Sequence, residues 1–157
     1  MPAQLQRPHD SAGVTGVELL VVLVVTAILA TAAVSAYRQH LIRARRSDAT
    51  LGLLRLQGAQ ERYFLQHGRY AGADEAALPP PAGLGLTVTA AGHYDLAVTT
   101  TTNDGQAGYV ATATARSDGP QWQDTECRSF TLDDAGRRGA AMAGGPADAA
   151  ATARCWR

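Results

Sequence analysis

The chain has 157 residues, about one domain's worth, and its 14 basic residues balance 14 acidic ones to a formal net charge of zero. That length excludes a multidomain enzyme, and the balance offers neither the basic excess of a nucleic-acid binder nor an acidic tail. Hydrophobic residues make up 46% of the chain and aromatic ones only 6%, and the apolar residues are concentrated near the N-terminus.

Leu19–Ala36 forms an eighteen-residue run without a charge, interrupted only by Thr26, Thr31 and Ser35. As a helix rising about 1.5 Å per residue it covers roughly 27 Å, close to the ~30 Å hydrocarbon core of a bilayer. The run predicts one membrane-spanning helix. It is longer than the ~7–15 apolar residues of a secretory signal, and no small-residue cleavage context follows it. Glu18 stands directly before the run. A carboxylate there either reaches the membrane interface or has a functional partner, and both readings stay open on physical grounds. Arg38, Arg43, Arg45 and Arg46 follow the span and only Arg7 precedes it, so the arginine count taken alone places the C-terminal part in the cytoplasm.

From Tyr37 to His67 there is no proline, and the Leu, Arg, Gln and Ala content predicts that the helix continues. Leu53, Leu56, Tyr63 and Phe64 make one apolar stripe, with Gln60 an imperfect member, so this half lays one face on a core. Gly52 and Gly58 each cost a helix about 1 kcal/mol relative to alanine, and their small size leaves room for a neighbour. His67-Gly68 reads as a helix stop, and the proline cluster Pro79–Pro81 places a loop over 68–85. Leu86–Thr89 and His93–Thr100 read as strands, Asn103-Asp104-Gly105 as a turn and Tyr109–Thr114 as the returning strand of a hairpin. Phe130–Leu132 is a further short strand ending in an Asp133–Gly136 turn, and the Ala/Gly-rich stretch 139–153 reads as loop.

Cys127 and Cys155 lie 28 positions apart. They are either two buried thiols or a disulfide, and the disulfide is the expectation, because the spacing fits neither a zinc site nor a C-x-x-C motif. Closing such a loop contributes about 3–4 kcal/mol in the chain-entropy account and favours an oxidising compartment, against the arginine count. His9, His40, His67 and His93 are scattered, with no H-E-x-x-H, G-x-S-x-G or phosphate loop, so the expectation is no enzyme, no cofactor and no metal. The acids around Asp104 and Asp133 do not match a calcium loop and read as turn residues. The arginines at 38–46 are of a kind that can meet lipid head groups or DNA, but a solvated helix face or a neighbour's carboxylate is the commoner fate of such a run.

Gly13-Val14-Thr15-Gly16-Val17-Glu18, followed at once by the apolar run, resembles the processing site of type IV pilins. In that family a short leader ends in Gly and Glu is the fifth residue of the mature chain. Gln60–Tyr70 and the ending from Cys127 through Phe130–Gly136 to Cys155-Trp156 are similar to the minor pilins of Gram-negative type IV pili. Val14 stands where the family usually has Phe or Met, and Ser35 where a helix-kinking proline is common.

The resemblance implies an α+β pilin fold, a long N-terminal helix packed on a C-terminal antiparallel sheet. It divides the chain into a leader (1–13), a transmembrane or filament-core helix (14–36) and a periplasmic globular domain (37–157). It implies cleavage between Gly13 and Val14 by a prepilin peptidase, methylation of Val14, and an assembly role for Glu18. The N-terminus would be cytoplasmic, the chain held as a single pass in the inner membrane before export into an extracellular pilus. Implied partners are other pilin subunits, the prepilin peptidase, the inner-membrane assembly platform and, before assembly, membrane lipid; nucleic acid is left open. The implied function is that of a minor pilin in pilus assembly and in adhesion, twitching motility or DNA uptake, with a type II secretion pseudopilin as the alternative.

Overall fold

The computed structural model describes residues 15–103 and 105–157. The leader, the Gly13–Val14 cleavage and methylation site, and Asp104 of the expected hairpin turn lie outside the described residues.

Helix α1 runs without interruption over Gly16–His67. Its start follows from local chemistry. The Thr15 hydroxyl accepts the Glu18 N–H at 3.3 Å, and Glu18 places negative charge in the first turn, where the helix dipole favours it. The threonines of the apolar run satisfy themselves within the helix: the Thr26 and Thr31 hydroxyls each donate to a carbonyl of the preceding turn, on Val22 and Ile28, at 2.7 Å. The helix stops where Gly68 adopts φ +69° and its N–H donates to the Phe64 carbonyl at 2.8 Å.

Two compact units divide the chain, Met1–Gln39 and His40–Arg157. In the first, every described residue is exposed, including the apolar side chains from Val17 to Val34. The second holds a four-stranded antiparallel meander in the order β1 (Tyr94–Asn103), β2 (Gln106–Ala115), β3 (Ser129–Asp133) and β4 (Arg138–Ala141). The β1–β2 register runs from Tyr94↔Ala115 to Asn103↔Gln106, with a hairpin where the sequence places one. Strand alternation sends Tyr94, Leu96, Val98, Tyr109, Ala111, Ala113, Phe130 and Leu132 into the core with Leu53, Leu56 and Tyr63 of α1. Thr99, Thr112, Thr114 and Thr131 take the opposite face.

Several expectations are corrected. Gln60 is a full member of the buried stripe. Its amide donates to the Ala71 carbonyl at 2.9 Å and accepts the Ala71 N–H at 2.8 Å, so both ends are satisfied without water. Phe64 is instead 37% exposed. Gly52 does admit a neighbour, since a Cβ there would lie 2.6 Å from Thr89 Cγ2; Gly58 faces open space apart from the far end of Arg62. Leu86–Thr89 is no strand and makes only an isolated bridge, Val88↔Asp95. The 68–85 loop contains a short helix, α2 (Ala73–Ala77), nucleated where Glu75 accepts the Gly72 N–H at 2.7 Å. The 139–153 stretch is not loop throughout, because β4 begins before it and α3 (Ala149–Cys155) closes it. There Asp148 caps the helix by accepting the Ala151 N–H at 2.6 Å, and the alanines that hide strand periodicity are strong helix formers.

Candidate functional site

Of the residues singled out in the sequence, Glu18 sits exposed in the first turn of α1, and Gly13 and Val14 precede the described residues. Cys127 and Cys155 form a disulfide with Cα atoms 5.8 Å apart, tying α3 to the entrance of β3. Among the described residues no His, Cys, Asp and Glu group is arranged to hold a metal.

Next to that disulfide lies a polar anchor that no sequence pattern pointed to. Arg46 donates to Asp124 through Nε at 2.7 Å and Nη2 at 2.9 Å, a bidentate pair whose carboxylate side is 1% exposed. Asp124 also accepts the Gln121 amide at 3.1 Å and the backbone N–H groups of Glu126 at 3.2 Å and Cys127 at 3.1 Å. Gln121 donates in turn to the Ile42 carbonyl at 3.1 Å. Burial pulls the Arg46 guanidinium down, but its hydrogen bonds and charge attraction to Asp124 and Glu126 outweigh that and raise it above the ordinary arginine range. The anchor docks the 3-10 turn Pro120–Gln123 and the disulfide entrance onto α1.

Over this anchor opens a groove of about 530 Å³ whose lining includes Arg43, Arg46, Ser47 and Thr50 from α1 and Arg154, Cys155 and Arg157 from the C-terminal segment. Its lining includes the carboxylate of Glu126, which accepts from Arg46 at 3.1 Å, while Arg46 is also bound to Asp124 below. Three surface arginines elsewhere are matched by acids: Arg69 with Glu75 at 2.8 Å, Arg116 with Asp118 at 2.9 Å and Arg137 with Asp133 at 2.5 Å. Arg154 and Arg157 differ, donating to the uncharged Met142 Sδ at 3.9 Å and Ala153 carbonyl at 3.1 Å. A zero net charge therefore conceals a local concentration of guanidinium.

An exposed aromatic side chain, Trp122, lies a few residues before Glu126 of the groove lining. From Arg154 the contact to Met142 leads to the segment in which the Ala143 N–H donates to the Thr125 carbonyl at 3.0 Å and the Arg128 N–H to the Ala141 carbonyl at 2.9 Å. There Arg128 stacks 3.7 Å from the ring centre of Trp122, a side chain that is 44% exposed. Basic groups beside an open indole suit a polyanion that also offers flat, apolar faces.

Residues 35–131, well over half of the chain, match the family described as type IV minor pilin ComP, DNA uptake sequence receptor. The chain belongs to the type IV minor pilin family. No curated protein matches it. The matched part of this minor pilin contains Arg43, Arg46, Trp122, Asp124 and Arg128; Arg154 and Arg157 of the opposite groove wall lie beyond it. The resemblance seen in the sequence and the expected helix-on-sheet fold both hold. The sequence missed the groove because its walls lie about a hundred residues apart, and a run of arginines carries no sign of which carboxylate each will meet.

Proposed function

We propose that this minor pilin is made as a prepilin, cleaved after Gly13, methylated on Val14 and assembled with other pilin subunits into a type IV pilus, where it binds DNA for uptake. The observation that carries the DNA reading is the family match, whose described role is that of a DNA uptake sequence receptor. The arginine-lined groove supports it chemically. Among the described residues α1 is the one helix long and apolar enough to cross a membrane, which supports residence in the inner membrane before assembly, N-terminus in the cytoplasm. The disulfide supports an oxidising destination for the globular domain. The family match favours a pilus over a secretion pseudopilus.

Glu18 takes its part at assembly. In the membrane its carboxylate adjoins apolar surface; in a filament the methylated, still cationic amino terminus of a neighbour's Val14 offers it a partner. Such a pair offsets its desolvation only in one geometry, so it checks register more than it adds net stability. The test is a deletion of the coding gene, complemented by the wild-type chain. DNA uptake falls in the deletion strain and recovers on complementation while pili are still assembled. Unchanged uptake would remove the DNA role.

A further inference from the structure

We infer that the outward face of the second half of α1 is an interface between two copies of this chain, which lie in parallel with Leu51, Leu54 and Leu65 of one against the same residues of the other. The parallel direction rests on the reading that α1 holds every copy in the same membrane. The interface itself rests on the spacing and exposure of these side chains.

The second half of α1 carries two stripes, and its own domain covers only one of them. The buried stripe runs from Ala49 to Tyr63 and packs on the sheet. Elsewhere on the helix Ala44, Ser47, Leu51, Leu54, Gly58 and Leu65 recur at steps of three and four residues, with Glu61 in the one remaining place. All are exposed except the half-buried Gly58. In a seven-residue repeat that begins at Ala44, this set takes the first and fourth positions, and every buried residue of the helix takes the second, third or sixth. Those are the seam and the outer side of a two-stranded coiled coil. A helix that rests on one core needs one stripe, so the second is left for an occupant, and its 3.5-residue period is the period of another helix.

The small residues agree. Gly52, within the buried stripe, admits Thr89 of its own domain, whereas a Cβ at Gly58 would meet only Arg62 Nη1, at 3.7 Å. Gly58 thus weakens the helix without serving the domain's packing, and it leaves room on the seam for a second backbone to approach. The Ser47 hydroxyl donates to the Ala44 carbonyl at 2.8 Å and brings no unmet donor to the seam.

Copies that enter one membrane through their N-terminal runs point the same way, which sets each seam leucine against its equivalent. In a parallel pair the position after a seam residue borders the partner's seam, so Arg62 of one copy flanks Glu61 of the other. That opposite charge offsets the carboxylate, and a single polar seam residue fixes register at a cost in stability. So short a seam holds a pair only weakly in free solution, but copies confined to one membrane meet at a raised effective concentration.

The test uses the full chain reconstituted in phospholipid vesicles. In Leu54→Cys, mild oxidation is expected to convert most of the chain to a cross-linked dimer, while Gln66→Cys, exposed on the same helix but off the seam, stays monomeric. Association is then followed by energy transfer between labelled copies as they are diluted in lipid. Leu51→Asp/Leu54→Asp weakens it at least about tenfold, because apolar contacts are replaced by facing like charges. Both leucines are exposed in the single chain, so the fold is kept, and Leu78→Asp, an exposed leucine outside α1, leaves association at wild type. Glu61→Leu tightens the pair several-fold.

Equal cross-linking in Leu54→Cys and Gln66→Cys, or wild-type association in Leu51→Asp/Leu54→Asp, would overturn the seam and leave the membrane reading standing. So would Leu54→Cys that links, in cell membranes, only to a different pilin. Failure of the wild-type chain to enter vesicles would overturn the membrane reading, and the parallel pair with it.

Discussion

The two halves of α1 are one helix in backbone and two in chemistry. From Gly16 to Gln39 nothing in the described chain covers the side chains, and Leu20, Leu23, Ile28 and Leu29 are each more than half exposed. From Ala49 to Tyr63 a stripe of Ala49, Leu53, Leu56, Ala59, Gln60 and Tyr63 is buried. Between Leu19 and Ala36 the first half carries no charge and only Thr26, Thr31 and Ser35 as polar interruptions, so it has no continuous polar face to give to water; the second half is amphipathic and completes a core. The same secondary structure therefore has two sources of stability. The second half is held by its own domain, whereas the first requires an apolar phase from outside the chain, which on our reading is the membrane and later the filament.

That contrast predicts where substitutions will be felt. Leu53→Ala leaves a cavity at the centre of the core and should lower unfolding free energy by about 2–5 kcal/mol in urea titration of the full chain in detergent. Leu23→Ala removes the same side chain from the first half and should leave the domain's transition within about 0.5 kcal/mol; an equal loss in both would break the comparison. Replacing both Cys127 and Cys155 by serine should cost about 3–4 kcal/mol, again in the domain transition. Alkylation and mass spectrometry of the native protein should find no free thiol.

Smaller effects sharpen the picture within the second half. Gly52→Ala gains helix propensity but presses a methyl against Thr89 Cγ2, and Thr89 has little freedom to yield, because its hydroxyl donates to Asp48 at 2.5 Å and accepts the Tyr94 N–H at 3.1 Å. A net loss of about 1–2 kcal/mol is expected. Gly58→Ala, six residues on and facing open space, should gain up to about 1 kcal/mol from propensity alone.

Alkali gives a further test of the core. Burial is the main force raising the phenols of Tyr94 and Tyr109 above the ordinary tyrosine range, and nearby Asp124 and Glu61, respectively, add to it. Because the folded-state values are raised, the stability linked to these groups is fully present below about pH 10 and is lost as pH rises beyond it. The unfolding midpoint should fall steeply above that pH. Tyr109→Phe, which removes a buried hydroxyl that finds no partner among the described residues, should soften the fall and cost little near neutrality.

What could be read from the sequence was whatever rests on local chemistry. The helix stop at Gly68, the β1–β2 hairpin and the amphipathic stripe all follow from periodicity or from a residue's own backbone preference. The disulfide was the expected one of two readings of the cysteine pair, and it forms. What stayed hidden depends on partners distant in the chain. Gln60 looked like a flaw in an apolar stripe until Ala71 satisfied both ends of its amide. Asp148, capping α3, was one polar residue in a run of Ala and Gly whose composition masks period. Arg46 was indistinguishable from Arg43 and Arg45 until folding brought Asp124 to it across 78 positions. The groove, made from the two ends of the same domain, was therefore invisible to any count of charge along the chain.

The most direct test of the account is the intact mass of this chain recovered from sheared, purified pili. It predicts a mature chain of 144 residues, the 157 less the 13-residue leader, beginning at a methylated Val14 and carrying the disulfide. It further predicts that Glu18→Ala is made and cleaved as the wild type is, yet is missing from the pilus fraction. A chain in pili that retains Met1, or a Glu18→Ala chain present there at wild-type abundance, would contradict it.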